Sequence, residues 1–148
     1  MIRITALAAA LVLAHSAAGQ TASLPASQVP PLPAVAETAR GAWERRDLAA
    51  FLAAAGGGRL LVSLPAGKQS SPVPPDQANA ILSVYVQGTE EVATLLEGAR
   101  QVDSTRAYVQ LLRRYRLVGA PGERESLILL GYRRGREMWV LTEVRIAS

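Results

Sequence analysis

The sequence predicts an α+β domain in which N-terminal helices pack on a mainly antiparallel β-sheet. Three observations lead there. Apolar residues recur at helical spacing in two stretches, around residues 34–52 and 76–88. From residue 94 onward the spacing changes to alternation, in long runs separated by turn sequences. Helices therefore come first and strands last, with one short strand between the helices, which is the order of an α+β domain rather than of repeated βαβ units.

The chain opens on a stretch that reads as an export signal, residues 1–19. Arg3 makes the start basic, Ile4 to Leu13 is a short apolar run, and small residues follow, with Ala18 or Gly19 suited to cleavage. The apolar run is far below the 18 or more residues that cross a bilayer, so no transmembrane segment is expected in the mature protein. There is no cysteine to carry a lipid or form a disulfide. We expect a periplasmic or secreted protein. Residues 20–33, with Pro25, Pro30, Pro31 and Pro33, read as a flexible tether, and 34–148 as a single domain.

Val35, Ala39, Ala42 and Trp43 form the apolar stripe of a first helix, whose polar face carries Glu37, Arg40, Glu44 and Arg45. Asp47 is placed to cap a second short helix holding Leu48, Ala49, Phe51 and Leu52. Gly56-Gly57-Gly58 ends helix there and lacks the spacing of a phosphate-binding loop. Arg59 to Leu64 is a short strand stopped by Pro65. After a proline-rich turn, Asp76 is expected to cap a helix with Ala78, Ile81, Leu82 and Tyr85 inward, ending near Gly88.

The remainder reads as strands. The first spans Thr94 to Val102, with Gly98 a bulge or bend, and Val102 to Arg106 makes a hairpin turn. Ala107 to Val118 and Ser126 to Arg134 follow, joined through Ala120 to Glu123, and Glu137 to Ile146 closes the domain. In the Ala107 strand the more apolar face is Ala107, Val109, Leu111, Arg113, Tyr115 and Leu117. In the last strand alternation puts Met138, Val140, Thr142, Val144 and Ile146 against the helices, and Glu137, Trp139, Leu141, Glu143 and Arg145 on the other face.

This order of helix, strand, proline-rich connection, helix and long antiparallel strands resembles the NTF2-like (cystatin-like) cone. At finer grain, the run Gln77-Ala78-Asn79-Ala80-Ile81-Leu82-Ser83-Val84-Tyr85-Val86, the glycine at Gly98 and the ending Leu141-Thr142-Glu143-Val144-Arg145-Ile146 resemble a DUF4783-like family of small exported bacterial proteins. The resemblance spans roughly Val35 to Ile146 and implies a curved sheet with helices packed on it. It carries no catalytic residue onto this chain, and the fold hosts enzymes and binders alike.

Composition narrows the chemistry. The one histidine, His15, lies inside the expected leader, so the mature chain would have neither imidazole nor thiol. That removes the commonest catalytic bases, thiol nucleophiles and zinc ligands, and no metal or cofactor is expected. An isomerase- or dehydratase-like enzyme built from Asp and Tyr stays open. Yet Asp47 and Asp76 have work as caps, Asp103 as a turn residue, and Tyr85 as core, which leaves Tyr108, Tyr115 and Tyr132 as donors by type.

We therefore expect a non-catalytic interaction or binding module, making a homodimer or a contact with an envelope protein. The alternative is a small anionic or sugar-like ligand held in the cone by Trp139 and Leu141 with Arg113 or Arg133, and Tyr115 beside them. Residues 100–148 hold ten arginines against five acids, and Lys68 is the only lysine. Such a basic half suits anionic partners, although export argues against nucleic acid.

Overall fold

The computed structural model describes residues 28–67 and 71–148. The leader and most of the expected tether lie outside the described residues. Helix α1, Leu32–Glu44, begins inside that tether, because Pro31 at the N-cap and Pro33 in the first turn suit a helix start, where no amide hydrogen bond is lost. It buries Ala36, Ala39, Ala42 and Trp43. Arg46 then takes a left-handed turn (φ 59°). Its guanidinium donates to the carbonyls of Val86 and Thr89, both at 2.6 Å, and so ties the α1–α2 junction to the end of the third helix.

Asp47 caps α2, Leu48–Ala53, accepting from the Ala50 amide at 3.0 Å. Gly56 and Gly57, at φ 59° and 79°, turn the chain away through the left-handed region, where a side chain would be strained. Strand β1, Leu61–Ser63, leads to α3, Pro75–Val86. Here the expected cap is displaced. Pro74 holds the N-cap position without a side-chain hydrogen bond, and Asp76 sits within the first turn, where its charge favours the helix dipole instead.

Four long strands follow: β2 Thr89–Gln101, β3 Arg106–Leu117, β4 Arg124–Arg134 and β5 Trp139–Ala147. The sheet order is β1-β5-β4-β3-β2, antiparallel throughout except for the parallel β1–β5 edge. Strand β2 begins five residues before the expected Thr94. A register shift between Glu91 and Ala93 interrupts its alternation there, so the period of a strand is not visible in that stretch. The expected bulge at Gly98 is present as a second shift. Asp103 closes the β2–β3 turn. Its carboxylate accepts from the Thr105 amide and hydroxyl and from the Arg106 amide, and the Thr105 hydroxyl bond is the largest of the influences holding it below the usual carboxylate range.

The inward face of β3 is as read from its parity: Ala107, Val109, Leu111 and Arg113 are fully buried. The last strand differs. Tyr132 pairs with Leu141 but Gly131 pairs with Glu143, so Thr142 is an extra residue on β5. This bulge inverts the parity on its N-terminal side. Trp139 and Leu141 turn inward with Val144 and Ile146, while Val140, Glu143 and Arg145 are left partly or fully exposed.

Candidate functional site

The expected site residues fall into three places. Arg113 and Tyr115 meet in the core. Arg113 is fully buried, and its Nε donates to both Glu91 oxygens at 2.8 and 3.0 Å. Its Nη2 also contacts Glu91 and donates to the Thr89 hydroxyl at 2.7 Å. The guanidinium carbon lies 4.1 Å from the Tyr115 ring centre, 5.3 Å from Tyr85 and 5.7 Å from Trp43. The charge is thus neutralised by one carboxylate and walled by π faces, two conditions that allow an arginine to remain in a core.

The register extends this centre across the sheet. Thr94, Arg113 and Ser126 are direct partners on β2, β3 and β4. The Thr94 and Ser126 hydroxyls, Arg113 Nη1 and the Trp43 indole N–H are buried without a hydrogen-bond partner among the described residues. Polar atoms gathered in this way are where proteins hold an internal water.

Trp139 and Leu141 lie elsewhere in the same core, with relative exposures of 2% and 1%. The cation above the Trp139 ring is Arg134, at 5.3 Å, and not Arg113 or Arg133. Arg133 projects from the outward face of β4 and is exposed. The five residues therefore do not share one cavity.

A cleft of about 360 Å³ does reach Trp139. Helix α1 contributes Ala34, Val35, Thr38 and Ala39, and α2 contributes Ala50, Phe51, Ala53 and Ala54. Tyr132, Met138 and Trp139 close it from the β4–β5 end. The space exists because the facing helix positions are mostly alanine, which are good for a helix but too short to meet across the gap. Among the described residues no charged side chain lines it. Phe51 packs edge-on to Trp43, ring centres 5.1 Å apart at 68°. Since Trp43 also contacts Arg113, this aromatic pair lies between the apolar cleft and the charged centre.

Tyr132 and Trp139 bring the cleft's two donors that make no side-chain hydrogen bond among the described residues, and the phenol is also able to accept. The Tyr132 side chain is 3% exposed. Burial pushes the phenol up, so it stays protonated and able to donate at any physiological pH. Sequence reasoning weighed Tyr132 only by residue type and passed over the alanines. The readable signal was the density of alanine in Ala34–Ala42 and Ala49–Ala55. The partner of Arg113 was also missed, because Glu91 precedes the expected start of its strand.

Among the described residues no group of three His, Cys, Asp or Glu side chains could hold a metal ion, and no helix is long and apolar enough to cross a membrane.

Among the described residues, helices that precede the long strands and pack with a mixed, mostly antiparallel sheet give an α+β architecture consistent with the NTF2-like, or cystatin-like, fold. Solved structures of that kind are similar to this chain over most of its length. A DUF4783 family protein from Bacteroides ovatus aligns with a TM-score of 0.61 at 11% identity, over 75% of this chain and 92% of that one. A ketosteroid isomerase-like protein from Erwinia carotovora atroseptica gives 0.63 at 15% identity, over 78% and 92%. A domain of unknown function with a cystatin-like fold from Nostoc punctiforme gives 0.59 at 21% identity, over 77% and 72%. At these identities the likeness is one of fold. No protein-family model and no curated protein matches the sequence.

Proposed function

We propose that the domain is a non-catalytic binding module whose cleft takes a small, mainly apolar molecule bearing one hydrogen-bond acceptor. The observation that carries this is the unpartnered Tyr132 hydroxyl, with the Trp139 indole beside it, among the residues of an alanine-walled, mainly apolar space. Apolar enclosure with a few placed polar groups is the usual anatomy of a small-molecule site. The uncharged wall favours such a ligand over the anionic or sugar-like one expected in the cone. A fluorescence titration with the neutral probe N-phenyl-1-naphthylamine tests it. Saturable binding, one probe per chain, is expected, with a loss of about tenfold or more in Ala53→Phe, which fills the cleft from its exposed rim. Binding indifferent to that substitution would contradict the reading.

Self-association is a second reading, favoured by a specific row on the outward face of the sheet. Leu95, Leu112 and Leu127 are direct partners across β2, β3 and β4, and Leu95 and Leu127 are 46% and 39% exposed. The charges beside the row are already matched, Arg114 and Arg116 with Glu123 and Arg114 with Glu125. A strongly charged partner gains little there, whereas a second copy supplies the same leucine row by two-fold symmetry. Light scattering at micromolar concentration should give twice the chain mass, reverting to monomer in Leu95→Lys/Leu127→Lys. A wild-type monomer at 100 μM would contradict this reading.

A further inference from the structure

The outward face carries a second depression, four residues further along β3 from Leu112, about 13 Å away. Arg106 of β3 stands directly opposite Arg133 of β4. The neighbouring row is Arg100, Tyr108, Gly131 and Glu143 across β2, β3, β4 and β5. At Gly131 the surface dips into a pocket of about 250 Å³. A Cβ there would lie 3.2 Å from Glu143 Cβ and 3.5 Å from the Tyr108 ring, so both side chains lean over the glycine and border the dip.

The charges around it are not balanced. Like charges directly opposite on antiparallel strands destabilise the pair. Asp103 answers Arg106, through Nε and Nη2 at 2.8 Å each. The Arg133 side chain has no hydrogen bond or ion pair among the described residues. Across the pocket, Glu143 receives Arg145 on Oε1, while Oε2 is the oxygen turned toward Gly131. The Thr142 hydroxyl is already donated to the Gly131 carbonyl at 3.1 Å.

We propose that this depression binds a sugar acid, a ring that carries both a carboxylate and hydroxyls. The ligand carboxylate sits between Arg106 and Arg133, where planar guanidinium groups match it. The ring lies over Tyr108, and a ring hydroxyl donates to Glu143. Each feature rejects a simpler ligand. A bare anion meets Glu143 as a like charge, and a neutral sugar leaves the Arg133 charge unanswered. The depression opens on the opposite face of the sheet from the cleft; Tyr132 borders both, but the residues that recognise the sugar acid, Arg106, Tyr108, Arg133 and Glu143, line only the depression.

The test is an NMR titration of the full chain with D-galacturonate, D-galactose and inorganic phosphate, following the Arg133 side-chain Nε–Hε and the Tyr108 ring signals. Galacturonate should saturate these signals while galactose and phosphate bind at least tenfold more weakly. Arg133→Gln should lower galacturonate affinity about tenfold. Glu143→Gln should lower it too, while strengthening phosphate binding. Both changes are at solvent-reachable side chains, and thermal melts confirm that each variant is folded. A further arm with tri-galacturonate separates the sources. Tighter binding than the monomer supports a polymer-borne sugar acid, and equal or weaker binding supports the free one. Equal affinity for phosphate and galacturonate, or shifts at Trp139 instead of Tyr108 and Arg133, would overturn the proposal.

Discussion

Arg113 is held where a charge is least at home, so its partners decide what happens when they are changed. Removing one member of a buried ion pair leaves the other uncompensated, which costs about 3–5 kcal/mol, whereas replacing both with apolar residues is often neutral. Glu91→Gln should therefore lose stability of that order in urea unfolding, and Arg113→Met/Glu91→Leu should recover most of it. A double variant no more stable than Glu91→Gln would show that the pair does not act as a unit. Tyr132 makes a different statement at the same scale. Its folded-state phenol is pushed above the ordinary value of 10.0 by burial. Below pH 10 both states keep the proton, and stability is unaffected. Above it the unfolded chain releases the proton while the folded chain retains it, so stability falls as pH rises. The wild type should show this alkaline loss in unfolding free energy more steeply than Tyr132→Phe, and identical slopes would contradict it.

At the scale of elements, the parts visible in the sequence are those fixed by local chemistry. Asp47 caps α2 because a carboxylate precedes an apolar run, and Asp103 closes a hairpin because its side chain can reach amides two and three residues on. The inward placement of Arg113 followed from alternation alone, since β3 is unbroken between Arg106 and Leu117. What escaped is what depends on pairing between strands. A bulge residue such as Thr142 has no distinctive side chain; it exists only because β4 and β5 differ by one residue in register. That single residue moved Trp139 and Leu141 from an expected open face into the core. The same limit hid Glu91, which the irregular start of β2 brings to Arg113. The candidate site was thus legible as a set of inward residues, but not as the separate centres into which tertiary packing sorts them.

Over the whole molecule, the sheet separates two kinds of surface. The face toward the helices holds the Arg113 centre and the alanine-walled cleft, divided by Trp43 and Phe51. The opposite face holds the leucine row and the Gly131 depression. The fold alone assigns no function, since it serves many; the function rests on which of these surfaces is occupied. The cleft is walled mainly by apolar side chains and is bordered by donors, the Tyr132 hydroxyl and the Trp139 indole, that make no hydrogen bond among the described residues, and this is why it stands at the centre of the account. The most direct measurement is a crystal structure of the full chain grown with 2-naphthol methyl ether, a neutral apolar molecule with one acceptor oxygen. The account predicts density between α1, α2 and Trp139, with the ether oxygen within hydrogen-bond distance of Tyr132 Oη. Density only at the outward leucines, or a cleft closed by its own side chains, would contradict it.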